Sequence, residues 1–282
     1  MTPVLLILIA LAGTSKGAQF SVAPPETVTV KSDSLALRAV LYRPSGRGPF
    51  PGVLFSHGSG HASGVGADGL ADQRHPELLG PVFARHGYAF LYLYRRGEGL
   101  SRGQGEAAAD IMDKELAEHG QTARNAVQIR LLDDGDQSDA VAGLAFLRTL
   151  PDVDPRRIAV AGHSFGGSLT LLLAARDTSL RAAVLFSGSG LSWDRSSELR
   201  ARLRAAADNV HAPVFFIHAA NDFSTAPGES LGVEMGRAGR PHRVKIYPAV
   251  GHTPADGHDF IHLAIASWES DVFDFLDPLM KK

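Results

Sequence analysis

The chain has 282 residues, with 28 Lys and Arg against 30 Asp and Glu, for a formal net charge of −2. It has no cysteine, which excludes disulfides, thiolate metal sites and a cysteine nucleophile together. The two signs of charge are interspersed, so no electrostatic footprint for nucleic acid or an anionic membrane is present. A chain of this length buries roughly three quarters of its unfolded surface as one α/β domain and needs no staple.

The elements follow in chain order. Residues 3–13 read PVLLILIALAG, an apolar run followed by TSKGA. The run suits the apolar part of a signal peptide and falls short of the ~20 residues needed to span a bilayer. The pattern predicts a leader over 1–18 and export to the periplasm or the medium. An uncleaved leader would tether the protein to a membrane, and no other segment predicts stable membrane insertion. The remainder, 19–282, reads as a single α/β domain. Strands are expected at 28–31 and 35–42, joined closely enough to form an antiparallel hairpin at a sheet edge. A strand at 51–56, a helix at 76–86 and a strand at 89–94 come next. The segment 98–136 has no strand signal but carries helical runs at 106–118 and 122–132. A stretch that long is seldom plain loop, so it reads as a helical insertion over the C-terminal edge of the sheet. Helix 136–150, strand 158–161, helix 166–176, strand 182–186, helix 194–208, strand 214–218, helix 228–238, strand 244–247 and helix 264–276 complete the chain. Short apolar strands alternating with helices predict a mostly parallel eight-stranded sheet covered on both faces.

Four stretches carry chemistry. At 158–173 the sequence IAVAGHSFGGSLTLLL places G-x-S-x-G between a buried-type strand and a helix. Such a bend strains the backbone of Ser164 and lifts its hydroxyl above the sheet, and the N–H of Phe165 at the helix start can face a developing oxyanion. At 53–60 a strand ends in His57-Gly58-Ser59-Gly60, where the N–H of Ser59 is a second candidate oxyanion donor. His57 and His61 have the spacing of a helical metal pair, but the glycines between them disfavour a helix and no acidic cluster completes a site, so no metal is expected. At 213–222 a strand ends in Ala219-Ala220-Asn221-Asp222, which sets Asp222 on the sheet edge where ligands bind in open α/β sheets. Arg95 and Arg96 follow a strand in RRGEGLS. An arginine there either binds a substrate carboxylate or pins its own loop to neighbouring acids, the commoner role. His163 and His218 read as structural.

The set H-G-S-G, R-R-G-E-G-L-S, G-H-S-F-G-G and A-A-N-D with a late G-H resembles the α/β-hydrolase superfamily, and within it the dienelactone hydrolase branch. The resemblance covers nearly everything after the leader. The best-known members use a cysteine nucleophile and lack so long an insertion. Here the position is Ser164, the nucleophile type of the wider esterase group. A base must follow the last strand, where YPAVGHTPADGHDF offers His252 and His258. His252 stands nearer the strand. The branch's Asp/Glu-Gly-His-x-Phe pattern aligns with His258, and Phe260 can anchor that backbone in the core, so His258 is favoured and His252 is the alternative. The resemblance implies a carboxylic ester hydrolase with a Ser164–Asp222–His258 triad, acting on a small-molecule ester with no cofactor. A histidine base, with a reference pKa near 6.5, implies a rate that rises from acid toward neutral pH. A peptidase or acyltransferase with the same triad, or a non-catalytic ligand-binding protein on this scaffold, are the competing readings.

Overall fold

The structure, a computed structural model, describes residues 19–65 and 75–281. The expected leader lies outside the described residues. Eight strands form one sheet: β1 (Glu26–Ser32), β2 (Leu35–Tyr42), β3 (Phe50–Ser56), β4 (Ala89–Leu93), β5 (Val153–His163), β6 (Ala182–Phe186), β7 (Val214–Ala219) and β8 (His242–Tyr247). Their order is β1-β2-β4-β3-β5-β6-β7-β8. β1 and β2 form the expected antiparallel hairpin, β2 also runs antiparallel to β4, and every pair from β4 through β8 is parallel.

The helices are α1 (Pro76–Arg85), α2 (Ala108–Asp133), α3 (Gly135–Thr149), α4 (Phe165–Arg176), α5 (Ser197–Ala207), α6 (Ala226–Arg237), α7 (Pro254–His258), α8 (Phe260–Leu263) and α9 (Ile265–Met280). Both faces of the sheet are covered because each central strand is apolar on both sides. In β3, Leu54 packs with the cluster that holds Leu131, Leu144, Leu169 and Leu203 from α2, α3, α4 and α5. Its neighbours Val53 and Phe55 point the opposite way, into a second cluster with Leu79 and Phe83 of α1 and Trp268 and Phe273 of α9. Alternation along the strand thus feeds two cores at once.

Two boundaries differ from the sequence reading, for local reasons. β5 begins at Val153 rather than 158, because Val153 pairs with Phe50 before a register shift brings Ile158 beside Gly52. Pro155, Arg156 and Arg157 hide that extension from any apolar pattern. The loop expected after β8 contains two short helices, and α7 is fixed by a capping box. Thr253 Oγ1 accepts from the N–H of Asp256 at 3.1 Å, and Asp256 Oδ2 accepts from that of Thr253 at 2.9 Å. The insertion is helical as expected. Its two runs form the single stretch α2, interrupted at Gly120 (φ 81°). Among the described residues no helix is long and apolar enough to cross a membrane.

The order of strands positions the site. The chain leaves β3 for β4 on one side, then returns to add β5 through β8 on the other. The loops beyond the C-terminal ends of β3 and β5 therefore diverge around a crevice, the usual ligand position in open α/β sheets.

Candidate active site

Ser164 joins β5 to α4 with φ 55° and ψ −118°, a conformation that costs a non-glycine residue about 1–3 kcal/mol. The bend persists because its backbone is fully engaged. The Ser164 N–H donates to Phe186 O at 2.9 Å, and its carbonyl accepts from Gly167 and Ser168 at 3.0 and 3.2 Å. Close packing explains the flanking glycines. A Cβ on Gly166 would lie 2.0 Å from Ser56 O and 2.3 Å from His57 O, both backbone atoms that cannot swing away. Gly166→Ala is therefore expected to cost about 3 kcal/mol of stability, read as a lower urea midpoint. An unchanged midpoint would remove close approach as the reason for this glycine.

Asp222 lies just beyond β7. One oxygen accepts from His258 Nδ1 at 2.7 Å and the other from His218 Nδ1 at 2.8 Å, and the Phe223 N–H adds a third bond at 2.7 Å. Burial alone pushes this carboxyl up; the hydrogen bonds from His218 and His258 outweigh it and hold the acid well below the usual carboxylate range. An ionised acceptor at Nδ1 of His258 requires the proton on that nitrogen, so Nε2 carries a lone pair. That lone pair faces Ser164 Oγ at 2.8 Å. The structure thus brings Ser164, His258 and Asp222 into one continuous chain of hydrogen bonds.

His252 is not brought to this chain. It is exposed, and its N–H donates to Asp256 Oδ2 at 2.8 Å. His258 owes its place to a splice between two loops. Asn221 Nδ2 donates to the carbonyls of Val250 and Thr253 at 2.7 and 2.9 Å, and its Oδ1 accepts from the Val250 N–H at 2.9 Å. Gly257 lets this contact close, since a Cβ there would lie 2.4 Å from the Asn221 backbone. Phe260 is fully buried and anchors the next turn.

Sequence reasoning gave His163 and His218 only generic structural roles, and the structure gives both definite ones. His218, 1% exposed, holds the second oxygen of Asp222. Burial pushes His163 well below the usual histidine range, helped by the neighbouring His258 and His262. It is therefore neutral, and its Nε2 donates to the His258 carbonyl at 2.8 Å. The spacing His218-x-x-x-Asp222 was the one available signal, and only strand register makes it meaningful.

Of the candidate oxyanion donors, Phe165 is the first residue of α4, so its N–H has no acceptor within the helix. Ser59 is exposed in the loop after β3, and the neighbouring Gly58 packs on Ser164, whose Cβ lies 3.4 Å from an ideal Cβ there. His57 and His61 turn to different partners: His57 Nδ1 meets the Gly58 carbonyl at 2.7 Å, whereas His61 Nε2 meets Asp113 at 3.1 Å. Among the described residues no group of three or more His, Cys, Asp or Glu is arranged to hold a metal ion. Arg96 forms a bidentate pair with Asp139 at 2.7 and 3.0 Å, and Arg95 is buried against Asp136 at 2.8 Å. Both are held by acids from α3, which pins their loop.

The sheet order, the serine at the strand–helix bend and the carboxylate and histidine beyond later strands define an α/β-hydrolase. The Pyrococcus horikoshii acylaminoacyl peptidase superposes over 94% of this chain and 42% of its own, with TM-score 0.63 and 20% identity. A dienelactone hydrolase-like promiscuous phosphotriesterase from metagenomic libraries superposes over 91% of this chain and 98% of its own, with TM-score 0.62 and 20% identity. At these identities the likeness is one of fold. The chain belongs to the dienelactone hydrolase family, whose model matches residues 37–266. It is also 28% identical over 160 residues to the quorum-quenching protein AidA of Acinetobacter baumannii, a match over 57% of this chain and 42% of AidA. The matched region thus spans less than half the length of both AidA and the acylaminoacyl peptidase.

Proposed function

We propose that the protein is a serine esterase that cleaves carboxylic esters through an acyl-enzyme on Ser164. The observation that carries this reading is the relay from Ser164 Oγ to His258 Nε2 at 2.8 Å and from His258 Nδ1 to Asp222 at 2.7 Å. Ser164 Oγ attacks the ester carbonyl while its proton passes to Nε2 of His258. Asp222 fixes the tautomer and offsets the imidazolium charge. The N–H groups of Phe165 and Ser59 face the tetrahedral oxyanion. The imidazolium then protonates the departing alkoxide, leaving the acyl group on Ser164. A water deprotonated by His258 attacks that carbonyl, and the carboxylic acid leaves as Ser164 recovers its proton. Family membership in a hydrolase group supports the same direction of chemistry.

Phe223, 43% exposed, sets its ring 5.3 Å from that of His258 in a T-shaped arrangement. It offers an apolar wall beside the reacting atoms and supports an ester with an apolar acyl or alcohol portion. The leader pattern in the sequence supports action outside the cytoplasm. On this reading, p-nitrophenyl esters are turned over and a fluorophosphonate labels Ser164. Ser164→Ala is expected to lose the label and to drop kcat by roughly 10⁴-fold or more. Labelling that persists in Ser164→Ala would exclude this nucleophile. No labelling of the wild type would favour a ligand-binding role. Preference for peptide amides, or acyl transfer to an added alcohol in place of hydrolysis, would redirect the reaction class.

A further inference from the structure

Arg95 is 0% exposed, yet it is not spent on a simple ion pair. Its Nε donates to Asp136 at 2.8 Å, Nη1 donates to the carbonyl of His57 at 2.7 Å, and Nη2 donates to that of Gly58 at 2.9 Å. Nη2 also lies 3.4 Å from Glu98, and the guanidinium carbon lies 5.3 Å from the centroid of the Phe165 ring. As a stabiliser, a buried ion pair does no better than apolar side chains of the same volume. A planar fork can do what those side chains cannot: it grips two consecutive carbonyls at once.

That grip has a geometric consequence. In a planar trans peptide the C=O and the following N–H point in opposite directions. With the carbonyls of His57 and Gly58 both turned to the guanidinium, the N–H groups of Gly58 and Ser59 turn away from it. Ser164 borders this loop, its Cβ 3.4 Å from an ideal Cβ on Gly58. The same cation faces the ring of Phe165, whose N–H is the other proposed donor. A cation on a carbonyl also polarises the peptide and strengthens the N–H as a donor. We propose that Arg95 is the positioning residue of the oxyanion site, aiming and polarising the loop N–H groups from behind while touching no substrate. The neighbouring acids keep it in the form this needs: burial lowers its affinity for the proton, and Glu98 and Asp136 more than restore it. The inference rests on the acyl-transfer reading above. It also withdraws Arg95 from the role of binding a substrate carboxylate.

The test is steady-state hydrolysis of p-nitrophenyl acetate by the wild type and Arg95→Lys. Lysine keeps the charge but lacks the fork. The expected result is a loss in kcat of about 10²-fold, the size seen when one oxyanion donor is lost, with KM within about threefold. The acid limb of the rate profile keeps its wild-type midpoint, because the Ser164–His258–Asp222 relay is untouched. Affinity for a trifluoromethyl ketone, which forms a charged tetrahedral adduct on the serine, falls by the same factor as kcat. A wild-type kcat in Arg95→Lys, or a shifted acid midpoint, overturns the proposal. Because Arg95 sits between two buried carboxylates, Glu98→Gln provides the same test with less disturbance to folding. It retains the shape beside Nη2 and removes one charge, and a loss in kcat of about fivefold at constant KM is expected. An unchanged kcat there also overturns the proposal. A wild type that neither turns over esters nor reacts with a fluorophosphonate removes the acyl-transfer reading itself. An active wild type with a fully active Arg95→Lys removes only the clamp.

Discussion

Replacing His258 by alanine is expected to lower kcat on a p-nitrophenyl ester by roughly 10³-fold or more, while His252→Ala leaves it within about twofold. The contrast follows from position. The His258 ring spans Ser164 and Asp222 at 2.8 and 2.7 Å, so its loss strands the hydroxyl without a proton acceptor. The His252 ring is exposed, and the link that residue makes to the α7 cap is through its backbone N–H, which alanine retains. Kinetics on the two single variants settle the point. A dead His252→Ala with an active His258→Ala would reverse the assignment.

Asp222→Asn is expected to lower kcat by roughly 10³–10⁴-fold, with a far smaller change in KM. Asparagine has one acceptor and one donor where the carboxylate has two acceptors. If its oxygen accepts from His218, its NH₂ faces Nδ1 of His258 and favours the tautomer with the proton on Nε2. That tautomer cannot take the serine proton. The opposite flip restores His258 but sets the NH₂ against the buried His218 Nδ1, which now donates at 2.8 Å. One flip thus costs His258 its working tautomer, and the other leaves two donors facing each other at His218. The pH dependence follows from the same contacts. The folded-state pKa of Asp222 is depressed, so the stabilisation it provides is present above the ordinary carboxylate value near 4 and is lost only as pH falls through the lower folded value. The acid limb of activity should therefore report imidazole protonation, and Asp222 should stay ionised throughout it. Matched pH–rate profiles of the wild type and Asp222→Asn check this, and a near-wild-type kcat in the variant would remove Asp222 from the relay.

Much of this arrangement was legible before any coordinates, because its determinants are local. A continuous apolar run such as 51–56 means a strand buried on both faces, and G-x-S-x-G between strand and helix means a bend only glycines can flank. The chain order of serine, acid and histidine pointed to Ser164, Asp222 and one of two histidines; the family resemblance and Phe260 favoured His258, which the structure places beside Ser164. What stayed hidden depends on contacts between distant segments. The start of β5 at Val153 is set by its partner Phe50, and no pattern in Pro155-Arg156-Arg157 announces it. The segment of α7 reads as loop in the sequence because PADGH mixes proline and glycine, although the Thr253-x-x-Asp256 spacing of a capping box is present. His218, His163 and Arg95 could be given no definite partners, since each acts on a residue 4, 95 or 37–41 positions away that only the fold brings near.

The hydroxyl and the imidazole of the relay stand 94 positions apart, and the loop carrying the imidazole is spliced to the carboxylate's loop by Asn221. A nascent chain that has released only the strand–helix bend therefore bears an inert serine. Under the proposed mechanism, competence requires the segment after β8 to dock across the end of β7. Activity regained during refolding should then track that docking.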